Sequence, residues 1–215
     1  WILLCLVLQG IFGFLLLHQY TRRKILSLVG SIFFLVAPIM HFRIPGHAPL
    51  AGHWLLLLSL WLILKHSKKL LTWQWSLVLV LSLLIHPYFL FMCGALMLAH
   101  VGRVWFVEKH VNWKQLGIFL AIQLILVLVV GYSLGFWHIG EVTAPGFGEY
   151  SMNLNALFNP YGWHSPMLPD LPMGKNQYEG FNYLGAGTLL LLVFSLVSFF
   201  RQTHCREDMK YWWPV

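Results

Sequence analysis

Two groups of residues in this chain carry side chains able to do chemistry. The first comprises His41-Phe42-Arg43-Ile44-Pro45-Gly46-His47, then His53, then the turn His86-Pro87-Tyr88. The second lies in a long polar, aromatic and proline-rich segment, Ile139–Asn182, and includes Tyr150, Asn153, Gln177, Tyr178, Glu179 and Asn182. Arginine presents a planar fork of donors that matches phosphate. Imidazole exchanges protons near neutral pH. A carboxylate such as Glu179 can act as a general base or hold a cation. These are the groups needed to hold an anionic ligand and to activate a hydroxyl.

Each group also has a plainer reading. Arg43 suits an interfacial anchor that meets lipid headgroups as well as it suits a phosphate contact. His41, His47 and His53 recur every six residues, not at the i, i+4 spacing that places two imidazoles on one helix face. A metal site would need the loop to fold them together, so no metal is assigned and hydrogen bonding at a polar interface is expected. Pro145-Gly146-Phe147-Gly148 lacks the spacing of a phosphate-binding loop. Tyr161, Trp163, Tyr178 and Phe181 suit stacking on sugar rings or, more plainly, an aromatic belt. Ser151–Phe158 reads as a short interfacial helix, capped by Ser151 and ended by Asn159-Pro160. The segment holds Glu141, Glu149, Asp170 and Glu179, four of the seven acidic residues. Glu179 is the preferred candidate because it stands closest to the following apolar block.

The elements that position these residues follow from composition. The chain is 59% hydrophobic and 10% charged over 215 residues, whereas a soluble domain is nearer a quarter charged. Its apolar blocks have the length needed to cross a bilayer core. No alternating ten-residue segments of a barrel are seen. We expect an all-α, polytopic transmembrane bundle of about seven spans: Trp1–His18, Ile25–Met40, Ala48–Leu64, Leu70–Ile85, Tyr88–Val104, Gln115–Trp137 and Tyr183–Phe200. The apolar run 70–107 would be about 57 Å long as one helix. Pro87 divides it, because proline removes a donor and disfavours helix at the preceding residue. The resulting fourth span is short, about 24 Å, which puts His86 below the surface, either at the floor of a cavity or as a buried, satisfied histidine in a helix-capping turn, with the cavity preferred.

Charge then orients the chain. Arg22, Arg23, Lys24, Lys65, Lys68, Lys69, Arg103, Lys109, Lys114, Arg201, Arg206 and Lys210 fall on one side, and only Arg43 and Lys175 on the other. The first side is therefore expected to be cytoplasmic. Every candidate residue named above falls on the opposite face, with segment 139–182 as an extracytoplasmic loop. Residues 1–215 read as one transmembrane domain. The +7 charge flanks spans, so the bilayer is the expected partner and nucleic acid is not. Cys5, Cys93 and Cys205 give neither a disulfide framework nor a metal knuckle. The first residue is Trp, and we expect an internal piece of a longer protein.

Several stretches together resemble a bacterial family of large polytopic membrane proteins. They are Leu8-Gln9-Gly10, Pro38 through Arg43, Gly46-His47-Ala48 with Ala51-Gly52-His53-Trp54, His86-Pro87-Tyr88, Tyr150-Ser151-Met152-Asn153-Leu154 with Phe158-Asn159-Pro160, and Gln177 through Gly185. That family looks like the GT-C type of membrane glycosyltransferase, which takes sugars from polyprenyl-phosphate donors outside the cytoplasm. The resemblance implies residence in the bacterial inner membrane and a lipid-phosphate-linked sugar as partner. Arg43 would contact the phosphate. His47, His53, His86, Tyr88, Tyr150, Asn153, Gln177, Tyr178 and Asn182 would line the substrate site, with Glu179 as a catalytic carboxylate. GT-C enzymes usually carry an acidic residue in the first outer loop, and Phe42–His47 has none. The main base is therefore expected upstream of residue 1. No cofactor is called for in this chain, and a divalent cation stays open. A transporter or flippase, or a non-catalytic assembly component for a lipid-linked glycan, is the competing expectation.

Overall fold

The computed structural model describes residues 1–65, 68–109, 111–138, 152–161, 165, 167–172, 174 and 181–201. Among the described residues eight α-helices follow in order: α1 (Ile2–Thr21), α2 (Lys24–Leu35), α3 (Pro38–Arg43), α4 (Trp54–Lys65), α5 (Thr72–Ile85), α6 (Pro87–Gly102), α7 (Trp113–Ser133) and α8 (Ala186–Arg201). No strand occurs among the described residues. Five helical stretches are long and apolar enough to cross a membrane: Ile2–Thr21, Lys24–Arg43, Ala48–Lys65, Pro87–Glu108 and Trp113–Ser133. Two shorter apolar helices, Thr72–Ile85 and Ala186–Phe200, fall in the remaining apolar blocks. The expected all-helical, multi-pass bundle is thus the observed fold class.

The chain divides into two compact units. The first holds Trp1–Leu35 and His47–Gly140, the second Val36–Gly46 and Glu141–Trp213. In the first unit α1 packs on α2 and α4, α4 on α6, and α5 on both α6 and α7. Lipid tails are as apolar as leucine, so helices in a bilayer associate by close fit rather than by hydrophobicity. Small residues supply that fit here. A Cβ on Gly13 would lie 2.7 Å from the Phe34 ring, and one on Gly30 would lie 2.6 Å from Leu17. Ser59 of α4, Ser82 of α5 and Cys93 of α6, all fully buried, meet at the centre.

Several polar side chains inside this unit direct hydrogen bonds to one another or to backbone carbonyls, as a water-free environment favours. Trp75 Nε1 donates to His100 Nδ1 at 2.8 Å. Gln123 Nε2 donates to the Thr72 carbonyl at 3.1 Å, and its Oε1 accepts from Ser76. The hydroxyls of Ser59 and Ser82 turn back onto the carbonyls of Leu55 and Val78. Helix ends are equally explicit. Arg22 adopts the left-handed conformation (φ 54°) and its N–H closes α1 on the His18 carbonyl. Asn112 and Gln115 form a reciprocal capping box at the start of α7.

One expected span is broken within its length, and two other expectations need correction. The second span falls in the apolar stretch Lys24–Arg43, inside which α2 stops at Leu35 and α3 begins at Pro38. Proline has no N–H to give and its ring collides with the carbonyl four residues back. That carbonyl belongs to Phe34, and Gln9 Nε2 of α1 donates to it at 3.4 Å. The sixth span ends at Ser133 rather than Trp137, because Gly135 takes a left-handed conformation (φ 81°). The interfacial helix over Ser151–Phe158 is only a 3-10 turn, Leu154–Leu157, with Asn153 at its start. Ser151 lies outside the described residues.

The second unit contains α3, that 3-10 turn and α8. Phe42 packs against Phe181 with the rings tilted by 37° and their centroids 4.5 Å apart. Gly185 (φ 88°) lies against Pro38, where a Cβ would come within 3.3 Å of the ring. The Leu184 N–H donates to the Leu157 carbonyl at 3.2 Å, which ties the approach to α8 onto the turn.

Candidate functional site

The first unit gathers four of the candidate residues at one end. His47 precedes a 3-10 turn, Ala48–His53, that leads into α4. The turn seats on the junction of α5 and α6 because Gly52 has no side chain there. A Cβ at position 52 would lie 3.0 Å from both Ile85 Cγ2 and the Phe89 ring. His53 then meets Phe89 edge-on, with ring centroids 5.8 Å apart. Trp1 Nε1 donates to the Ala48 carbonyl at 2.8 Å, so the start of α1 holds the same turn.

His86 is the hinge of the α5–α6 hairpin. Its backbone is extended, it ends α5, and it caps α6 ahead of Pro87 at the first helical position. The Tyr88 N–H donates to His86 Nδ1 at 3.3 Å. With Nδ1 engaged as an acceptor, the neutral ring carries its proton on Nε2, which is left to donate. The Tyr88 ring stands at 68° to this imidazole, 4.6 Å away, and is itself exposed. Burial pushes the His86 pKa below the ordinary histidine value, and the nearby His47 pushes it in the same direction. The arrangement is a half-buried, neutral imidazole that donates from one nitrogen, beside a second histidine and a phenol. It suits holding an oxygen-rich ligand better than abstracting a proton.

The second unit holds Arg43 and Asn182. Arg43 closes α3, and its guanidinium lies 5.9 Å from the centre of the Phe42 ring. Phe42 packs on Phe181, and Asn182 stands half-buried between buried Phe181 and Tyr183. Asn153 starts the 3-10 turn without a side-chain cap bond. Tyr150, Gln177, Tyr178 and Glu179 lie outside the described residues. The described acidic residues are Glu108 and Asp170. Glu108 sits 3.8 Å from Arg103 Nε, and Asp170 is exposed. Among the described residues no three His, Cys, Asp or Glu side chains group to hold a metal ion.

Asn159 organises the second unit, and its reading as a simple helix stop missed this. It is buried, and Nδ2 donates to the Leu171 carbonyl at 2.9 Å. Its Oδ1 accepts from the N–H groups of Tyr161 and Leu171 at 3.1 and 3.0 Å. One amide side chain thus satisfies three backbone groups and clamps residues 159–161 to 171. The local signal was an asparagine directly before a proline.

A family profile described as Domain of unknown function (DUF6311) matches residues 1–215. No curated protein and no solved structure matches the chain. The family description assigns no activity, so the likeness to GT-C glycosyltransferases gains no support from these comparisons.

Proposed function

The chain belongs to the DUF6311 family, whose description names no reaction, so we propose from its own residues that it transfers a sugar from a lipid-linked phosphate donor on the non-cytoplasmic face of a bacterial inner membrane. The observation that carries this reading is the meeting of the His47, His53 and His86 turns at the α5–α6 junction. A neutral His86 with a free Nε2–H can hold a sugar or phosphate oxygen without adding charge. Arg43 is the residue suited to the phosphate itself, since its fork can bind two oxygens at once. In transfer with inversion, the acceptor hydroxyl loses its proton to a base as the new bond to the anomeric carbon forms. The lipid phosphate leaves with the electrons of the old bond. Glu179 is the proposed base within this chain. Asp, Glu, Lys and Arg stand only at the ends of the described helices. A route for charged cargo through the bilayer would place such groups mid-span, and this favours transfer over transport.

The test uses the full-length protein with a polyprenyl-phosphate-linked sugar and follows formation of glycosylated acceptor. Arg43→Ala is expected to raise KM for the donor strongly, and Arg43→Lys to recover only part of the loss. Glu179→Gln should lower kcat by about 100-fold or more, the usual contribution of a positioned base. Transfer unchanged in Arg43→Ala, His86→Ala and Glu179→Gln together would end the proposal.

A further inference from the structure

The described part of the segment between α7 and α8 carries an unusual surface. Met152, Leu154, Phe158, Met167 and Leu171 are exposed, Leu154 at 95% and Met167 at 68%. Asp170 is the one charged side chain among the described residues from 152 to 174. A loop facing water would not keep so apolar a surface without a partner. Three of these residues line a groove of about 330 Å³, with Phe158, Met167 and Leu171 on one wall and Ala186, Leu189 and Val193 of α8 on the other. No polar side chain lines it.

Two further observations say what covers this surface. The α8 wall belongs to an apolar helix, Ala186–Phe200, whose Leu190 and Phe194 are exposed. The residues Ala186 to Val193 climb about 10 Å along its axis, so with this apolar helix seated in a bilayer the loop wall beside them would reach hydrocarbon depth. Irregular backbone survives at that depth only if its polar groups are satisfied internally. Five of them among the described residues are met by side chains of the segment itself. Asn159 takes the Tyr161 and Leu171 amides and the Leu171 carbonyl. Ser165 Oγ accepts from the Met167 and Leu168 amides at 3.3 and 3.1 Å.

We infer that the described residues from 152 to 171 belong to a re-entrant wedge embedded in the leaflet beside α8, and that the groove between these residues and the helix takes a lipid hydrocarbon chain. The partner is the bilayer, recognised by an all-apolar lining, with exposed Asp170 marking the water-facing rim. The inference stands apart from sugar transfer, and its test does not use that activity.

The experiment reconstitutes the full chain alone in phospholipid nanodiscs, in a Cys205→Ser background that leaves the buried Cys5 and Cys93 in place. Nitroxide labels are attached at Leu154→Cys, Met167→Cys, Asp170→Cys and, as a hydrocarbon reference, Phe194→Cys. Labels at 154 and 167 should collide with dissolved oxygen several-fold more often than with a polar nickel chelate, as at 194. The label at 170 should show the reverse. Aqueous accessibility at 154 and 167 would overturn the wedge and leave a protein partner as the cover. A phospholipid bearing a diazirine in its acyl chain should cross-link to residues 152–171. Leu189→Trp, which fills the groove, should lower that yield several-fold, and an unchanged yield would overturn chain binding.

Discussion

Replacing Asn159 with alanine should loosen the 159–171 clamp by a predictable amount. The side chain makes three hydrogen bonds to backbone groups, at 2.9, 3.0 and 3.1 Å, and is itself buried. A hydrogen bond of this kind contributes about 1 kcal/mol net, and more where its loss strands a buried partner. The three together amount to about 3 kcal/mol. At 1.36 kcal/mol per tenfold, that is a rise of roughly 100-fold in the opening equilibrium of the segment. Amide hydrogen exchange followed by mass spectrometry, with the protein in nanodiscs, reads this directly on peptides covering Tyr161 and Leu171. Asn159→Asp sharpens the test. It keeps both Oδ1 acceptances but sets an oxygen against the Leu171 carbonyl, so it should lose protection at Leu171 more than at Tyr161. If both amides exchange at the parental rate in Asn159→Ala, the side chain does not hold the segment and the reasoning is wrong.

The remaining predictions concern the first unit. Gly52→Ala should destabilise by about 1–3 kcal/mol, the usual cost of overpacking, because its Cβ meets Ile85 and Phe89 at 3.0 Å. Gly94→Ala, with nothing within 4 Å, should be neutral or gain up to about 1 kcal/mol from helix propensity; thermal shift in detergent compares the two. Trp75→Phe removes the donor to His100 Nδ1 and should cost about 1–2 kcal/mol in the same assay, while equal melting temperatures would show that bond to be idle. His86 has a folded pKa below its ordinary value, so the unfolded chain binds its proton first. Stability contributed by the neutral ring is complete above the ordinary histidine pKa of about 6.5 and is lost as pH falls through the lowered value. Melting temperature should therefore decline on acidification, and His86→Gln should flatten that decline; an identical acid limb in the variant would assign it elsewhere.

The helices were readable because a bilayer imposes one simple rule, an apolar block about as long as the hydrocarbon is thick. The α5–α6 hairpin was readable from Pro87 because the run it divides is too long for a single crossing. Pro38 was read through, although it carries the same chemistry, because the block around it has the right length for one span. The Phe34 carbonyl at its break is taken up by Gln9, 25 residues before Phe34. Nothing local to Pro38 announces that contact. The convergence of His47, His53 and His86 was equally invisible in spacing, since it rests on the missing side chain of Gly52 and the seat it leaves on Ile85 and Phe89. Polar residues in so apolar a chain therefore divide by where their hydrogen bonds go. Gln9, Gln123 and Asn159 direct theirs to backbone carbonyls of distant residues, and each holds the chain where a helix breaks, begins or turns. His86 is different: one nitrogen is fixed by its own turn, and the half-buried ring lies against Tyr88 and within electrostatic reach of His47. A polar group held in place with donor capacity to spare has a reason to be there beyond folding, and this singles out the α5–α6 junction as the first place to look for substrate.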